Sequence, residues 1–218
     1  MRVVIAGGHG QIALRLARLL ADRGDTPVGL VRNEDHFGDV RAAGAEPVLR
    51  DLEEATDAEV AEVVAGADAV VFAAGAGPGS GVTRKDTMDR AGAALLADAV
   101  QHARVRRYLL VSSMGADRAD RPDTDPVFAA YLRAKAASEE DLRRRDLDWT
   151  ILRPGRLTNE AGTGRVRLAG SVPAGAVPRD DVAAVLLALL DRPESRNLTL
   201  ELVGGDTPVD EAVTRLAA

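Results

Sequence analysis

Apolar residues along this chain fall into short β-branched runs that alternate with longer stretches of helical spacing, the signature of repeated strand–helix–strand units. Strands are expected at Arg2–Ala6, Pro27–Val31, Glu46–Leu49, Ala69–Ala73, Arg107–Ser112, Thr150–Leu152 and Leu198–Leu202. Helices are expected near Gly10–Arg23, Ala58–Ala65, Lys85–His102, Phe128–Arg145, Asp180–Leu190 and Val209–Leu216. In the first of these, Ile12, Leu16, Leu19 and Leu20 recur on one face. Runs that are apolar throughout suit parallel strands covered on both sides. The pattern predicts a doubly wound α/β fold of Rossmann type with a mostly parallel central sheet.

Two segments break the rhythm. The glycine-dense stretch 75–81 follows the fourth strand, and a stretch rich in Asp, Arg and Pro, 116–126, follows the fifth. Both leave the carboxyl ends of strands, where open α/β sheets bind ligands. A third segment, 155–178, is rich in Gly and Arg and is expected to supply substrate-side loops. No internal repeat or linker divides the chain, so residues 1–218 are expected to form one domain.

The link between the first strand and the first helix carries the clearest chemistry. Gly7-Gly8-His9-Gly10-Gln11-Ile12-Ala13 reads as Gly7-x-x-Gly10-x-x-Ala13. One glycine makes the tight turn, the second lets a pyrophosphate meet backbone, and Ala13 is small enough for helix-on-strand packing. The helix N-terminus then offers unpaired N–H groups and a positive dipole end to phosphates. A strand before the turn and an amphipathic helix after it make this a dinucleotide-binding fingerprint. At the end of the second strand, sites for NAD usually place an Asp or Glu against the ribose 2′-hydroxyl. Here Leu30-Val31-Arg32-Asn33 has no carboxylate at the strand tip, and Arg32 can pair with a 2′-phosphate. The expected cofactor is therefore NADP in preference to NAD, although Glu34 and Asp35 lie close by.

Composition narrows the remaining classes. The chain is 46% hydrophobic but only 3% aromatic, so its core must be built from Ala, Val and Leu. It has no cysteine, which excludes disulfides, thiolate catalysis and cysteine metal sites. His9, His36 and His102 are scattered without ligand spacing, so no metal is expected. A net charge of −6 argues against nucleic-acid binding, and Arg143-Arg144-Arg145 reads as a solvated helix end. No apolar run approaches the roughly 20 residues that span a bilayer. The chain runs from Met1 straight into its first strand, so a cytoplasmic protein is expected.

Several motifs in order resemble the atypical short-chain dehydrogenase/reductases, in particular the small NAD(P)H-binding group that includes biliverdin reductase B-like flavin reductases. They are the glycine turn, Arg50-Asp51-Leu52, Val71-Phe72-Ala73-Ala74-Gly75 and Leu110-Val111-Ser112-Ser113-Met114-Gly115. They continue through Tyr131-Leu132-Arg133-Ala134-Lys135, Leu152-Arg153-Pro154-Gly155 and Pro178-Arg179-Asp180-Asp181-Val182-Ala183. The resemblance implies that Asp51 and Leu52 lie by the adenine and that Ala73, Ala74 and Gly75 line the cofactor ribose. It implies that Pro154-Gly155 approaches the nicotinamide. Asp51 also suits the N-cap of the following helix.

Tyr131 and Lys135, four apart in a helical stretch, share one face and can act on one ligand. An ammonium nearby favours a phenolate, so Tyr131 is a candidate proton donor and acceptor. By resemblance, Lys135 would also hold the nicotinamide ribose, and Ser113 or its neighbour Ser112 would polarise a substrate carbonyl. Met114 falls where many extended relatives carry that serine, which leaves the register open. Three readings stand: an NADPH-dependent oxidoreductase of a small organic acceptor (quinone, flavin or carbonyl), a non-catalytic NADP-sensing regulator, and a sugar-nucleotide-type epimerase relative. The third is disfavoured because the chain is short for the substrate lobe of such epimerases. A methyltransferase with a similar glycine turn would have no use for the Tyr131–Lys135 pair.

Overall fold

The computed structural model describes residues 1–75, 77, 84–119 and 125–217. Its strands are β1 (Arg2–Ala6), β2 (Thr26–Val31), β3 (Glu46–Leu49), β4 (Ala69–Phe72), β5 (Arg107–Val111) and β6 (Asp148–Pro154). They continue with β7 (Arg156–Thr158), β8 (Arg165–Ala169), β9 (Ala176–Pro178), β10 (Leu198–Gly204) and β11 (Thr207–Pro208). Between them lie α1 (Gln11–Asp22), α2 (Phe37–Ala42), α3 (Asp57–Val64), α4 (Ala93–His102), α5 (Pro126–Arg143), α6 (Arg179–Leu190) and α7 (Val209–Thr214).

The main sheet has the order β11-β8-β10-β6-β5-β4-β1-β2-β3. From β3 to β10 every pairing is parallel, and β8 and β11 extend the edge antiparallel. The order reverses between β1 and β4, the switch point at which such sheets open a ligand crevice.

Alternation within β1 shows how two layers arise from one strand. Val3 and Ile5 join a core with Leu16 and Leu20 of α1 and Val182, Leu186 and Leu189 of α6. Val4 and Ala6 face the other way, into a core with Val60 and Val64 of α3 and Leu96 and Val100 of α4. Successive side chains of a strand point to opposite faces, so a strand buried on both must be apolar at every position. Both layers pack as pairs of helices, α1 on α6 and α3 on α4. No helix among the described residues is long and apolar enough to cross a membrane.

The structure departs from the sequence reading in four places. Segment 155–178 is not simply loop: β7 and β9 form a small parallel ribbon, and β8 pairs antiparallel with β10. These strands are three to five residues long. In β8 only Val166 is fully buried, so no apolar run marks it. Helix α2, unpredicted, has six residues and one buried side chain, Val40. The helix expected over Lys85–His102 begins as a π-helical segment, Lys85–Gly92, and becomes α-helical only at Ala93. The N-cap of α3 is Thr56, which forms a reciprocal capping box with Glu59. Asp51 instead accepts a 2.9 Å hydrogen bond from the Glu53 backbone N–H in the turn before it.

Candidate functional site

The turn after β1 has the backbone that its glycines predict. Gly7 adopts φ +76°, and a Cβ there would stand 2.6 Å from the Cα of Ala74. A Cβ on Gly8 would stand 2.6 Å from the Cα of Gly29 in β2, whose own lack of a side chain makes that approach possible. The Gly8 N–H donates to the Leu30 carbonyl at 2.8 Å, which locks the turn onto β2. The Gly10 N–H donates to the Gly7 carbonyl at 2.7 Å. Gly10 is the N-cap of α1 and brings no capping side chain, and no side chain among the described residues caps the N–H groups of the first turn. Ala13 is fully buried behind it, Gln11 is exposed, and Ile12 packs against the core.

This turn forms one wall of a cleft of about 320 Å³. Gly7, His9, Gly10, Arg32, Asp51, Leu52, Ala73, Ala74 and Gly75 all line it, so the segments expected to hold a dinucleotide converge on one space. The cleft is more cationic than the motif alone suggested. Arg32, Arg50 and Arg84 line it together with His9 and His36. The two imidazoles stack at 3.7 Å between ring centroids, and His9 Nε2 lies 2.8 Å from Asp39 Oδ2.

The arginines are not equally committed. Arg84 donates twice to Glu53 Oε2, at 3.1 and 3.0 Å, and Thr87 donates to Oε1 at 2.5 Å. Burial pushes the Glu53 carboxyl up, but these hydrogen bonds and the charges of Arg84 and Arg32 hold it below its ordinary value. Arg50 reaches Glu59 only at 3.4 Å, and its buried Nε has no partner among the described residues. No hydrogen bond or ion pair ties Arg32 to another described residue. Uncapped helix N–H groups, side-chain-free backbone and a lining of guanidinium groups suit the phosphates of a dinucleotide.

Beyond the cleft floor lies a second group of side chains. Lys135 is 4% exposed; its Nζ donates to the Val111 carbonyl at 3.0 Å and pairs with Asp89 Oδ1 at 3.2 Å. Asp89 is fully buried, and a Cβ on Gly75 would stand 3.2 Å from its Oδ1, so this ion pair sits directly beneath the cleft lining. Lys135 and Lys85 bring their ammonium groups to 5.8 and 5.3 Å from the Tyr131 ring centroid. Tyr131 is half-buried and stacks with the exposed Phe128 at 5.9 Å.

The two serines part company. Ser112 is buried and donates to Glu139 Oε1 at 2.5 Å. Glu139 also receives Arg153 twice, at 2.8 and 2.6 Å, and Arg143 at 2.8 Å. Ser112 is thus committed to a buried polar network. Ser113 is half-buried, and among the described residues its hydroxyl donates only to the Met114 carbonyl, at 3.3 Å. Pro154 and Gly155 are held by backbone bonds to Met114 and Leu202, and a Cβ on Gly155 would stand 2.3 Å from the Gly175 carbonyl oxygen. That glycine has a packing reason of its own. Neither residue lines the described cleft. Of the loops expected to shape the substrate side, residues 76, 78–83 and 120–124 lie outside the described residues.

Lys85, Asp89, Arg84, Arg50, Glu53 and His36 escaped the sequence reading. A signal for two of them was present. Lys85, Met88, Asp89, Gly92, Ala93 and Leu96 are the buried stripe of their helical segment. Two charges in an otherwise apolar or small stripe call for buried partners.

The fold and the cleft define a Rossmann protein built to take a dinucleotide. The chain belongs to the NAD(P)H-binding family, whose model it matches over residues 7–193. It is 37% identical over 217 residues to the Bacillus subtilis protein named uncharacterized sugar epimerase YhfK, covering 99% of this chain and 100% of that one. A structure from Bacillus halodurans, provisionally named an NAD-dependent epimerase/dehydratase, is 35% identical, covers 99% of both chains and superposes with a TM-score of 0.91. ChuY, an anaerobillin reductase from Escherichia coli O157:H7, shares the fold at 23% identity and a TM-score of 0.80, over 94% of this chain and 98% of its own. Because the relative named an epimerase matches from end to end, chain length does not separate the two names.

Proposed function

We propose that this protein is an NADPH-dependent oxidoreductase that reduces a small organic acceptor, a quinone, flavin or carbonyl compound. The observation that carries the reading is the join between the two groups of residues. The arginine-lined cleft and the Tyr131–Lys135 face of α5 meet through Asp89, whose carboxylate lies under Gly75 and pairs with Lys135. Bound NADPH would supply the hydride. The glycine turn and the α1 N-terminus would hold the diphosphate, Asp51 and Leu52 the adenine side, and Arg32 the 2′-phosphate. In carbonyl reduction Tyr131 would pass its proton to the oxygen that gains negative charge, and Ser113 would hydrogen-bond that oxygen. Lys135 would steady Tyr131 and the ribose side of the cofactor. Quinone or flavin reduction can take its proton from solvent and leaves Tyr131 less to do.

A second reading draws on the name of the Bacillus subtilis relative. An epimerase oxidises and re-reduces one substrate, so its cofactor is unchanged after each cycle. Incubation with NADPH and a panel of quinones, flavins and carbonyl compounds separates the readings. Stoichiometric loss of NADPH absorbance is expected. Tight NADPH binding with no net oxidation against all three classes overturns the oxidoreductase reading, and leaves epimerase and redox sensor as the accounts to test.

A further inference from the structure

Among the described residues, Lys85 is a cation without a counter-ion. It is 9% exposed, yet among the described residues its ammonium makes one hydrogen bond, to the Gly77 carbonyl at 2.9 Å, and no ion pair. A lysine ammonium has three donors. Its other contact is the face of Tyr131, 5.3 Å from the ring centroid. A neutral carbonyl and a cation–π contact soften the burial of a charge but do not neutralise it. Lys135, a few ångströms from the same ring, is a built-in contrast. It has its carboxylate, Asp89, and so has no need of another anion.

We infer that Lys85 receives the anionic group of the substrate, and that the acceptor reduced beside Tyr131 carries a carboxylate. The π-helical start of the segment Lys85–Gly92 is the structural means. It turns Lys85 toward Tyr131 while Asp89, four residues on, reaches Lys135. Wide helical turns of this kind are frequent at functional sites. Gly77, which Lys85 holds, lines the dinucleotide cleft, so the ammonium stands where that cleft passes to the Tyr131 side. A carboxylate there would complete the pairing that the described residues leave open, and would leave the rest of the substrate against Tyr131 and the exposed ring of Phe128. The inference rests on the reading of the Tyr131 side as the acceptor site.

The test is a binding one, so that it stands apart from turnover. NADPH-loaded protein is titrated by calorimetry with a panel of small carboxylates of graded size, each beside its uncharged carboxamide twin. The expected result is that at least one carboxylate binds about tenfold to a hundredfold more tightly than its twin. Lys85→Met should erase that difference and Lys85→Arg should keep most of it, with any change in NADPH affinity small beside the change in carboxylate selectivity. Equal binding of every carboxylate and its twin to the wild type overturns the inference, whatever the variants do. So does a Lys85→Met protein that still discriminates, or one whose main defect is NADPH affinity, which would make Lys85 a cofactor residue. Selective carboxylate binding without NADPH oxidation by any acceptor would support this inference while sinking the oxidoreductase reading.

Discussion

The glycine turn and the Tyr131 face are built on opposite principles. At the turn the groups on offer are backbone: N–H groups at a helix start, made reachable because Gly7, Gly8 and Gly10 carry no side chains. At the Tyr131 face the groups on offer are side chains brought from separate elements: Lys85 and Asp89 from one helix, Tyr131 and Lys135 from another. The first site is held by backbone hydrogen bonds within the turn and to β2. The second depends on four long or charged groups keeping their mutual positions. A backbone site fails when something is added to it, and a side-chain site fails when something is removed.

That contrast orders the expected effects of substitution. Gly10→Val adds bulk where a Cβ already meets the Gly7 carbonyl oxygen at 3.0 Å and where a diphosphate would approach. It is expected to abolish NADPH binding measurable by fluorescence titration while leaving the circular dichroism spectrum intact. Normal binding would reduce the turn to a purely structural feature.

Tyr131→Phe removes one oxygen from the other site. Loss of a general acid lowers the rate of carbonyl reduction by about 10²–10⁴. Quinone reduction should change far less. Equal losses with both acceptors in stopped-flow NADPH oxidation would show that Tyr131 acts through packing and not as an acid.

Arg32→Ala removes a side chain at the edge of the backbone site and so tests a mixed case. Charge-assisted hydrogen bonds contribute about 1.5–3 kcal/mol, which is about tenfold to a hundredfold in NADPH affinity. NADH affinity should hold. If the wild type binds both cofactors equally, the assignment to NADP fails at once.

The smallest effect is expected at Glu53, whose carboxyl is held below its ordinary value of 4.5 by Thr87, Arg84 and Arg32 against the opposing pull of burial. A carboxyl with a depressed folded-state value contributes stability that is present above pH 4.5 and lost as pH falls through the folded value. Thermal melts of Glu53→Gln should therefore lie below the wild type at neutral pH, by about 1 kcal/mol or less for a partly exposed pair. The gap should close on acidification below pH 4.5. A constant gap would assign the difference to packing.

Legibility in the sequence followed the same divide. The strands and helices that carry the sheet were readable because each answers to a local rule: apolar runs for buried strands, helical spacing for amphipathic helices. The dinucleotide cleft was readable for a related reason, since Gly7 and Gly8 stand in one short run where backbone must approach backbone. Helix α2 and the strands β7, β8 and β9 were not readable. They are short, bury few side chains and are held by neighbours and not by their own pattern.

By itself, then, the sequence determined the layered α/β architecture, the glycine turn and the absence of a carboxylate at the tip of β2, because each depends on residues adjacent in the chain or at a fixed spacing along one element. Only the tertiary structure decided that Ser112 belongs to Glu139 and Arg153 while Ser113 is left half-exposed. Only it decided that, among the described residues, Lys135 has a carboxylate partner and Lys85 has none, and that Arg84 and Arg50 join Arg32 around one cleft. The physical reason is that a charge takes its meaning from whatever lies within a few ångströms of it. In this fold those neighbours come from distant parts of the chain: Asp89 lies 46 positions from Lys135, and Asp180 lies 165 positions from Arg15.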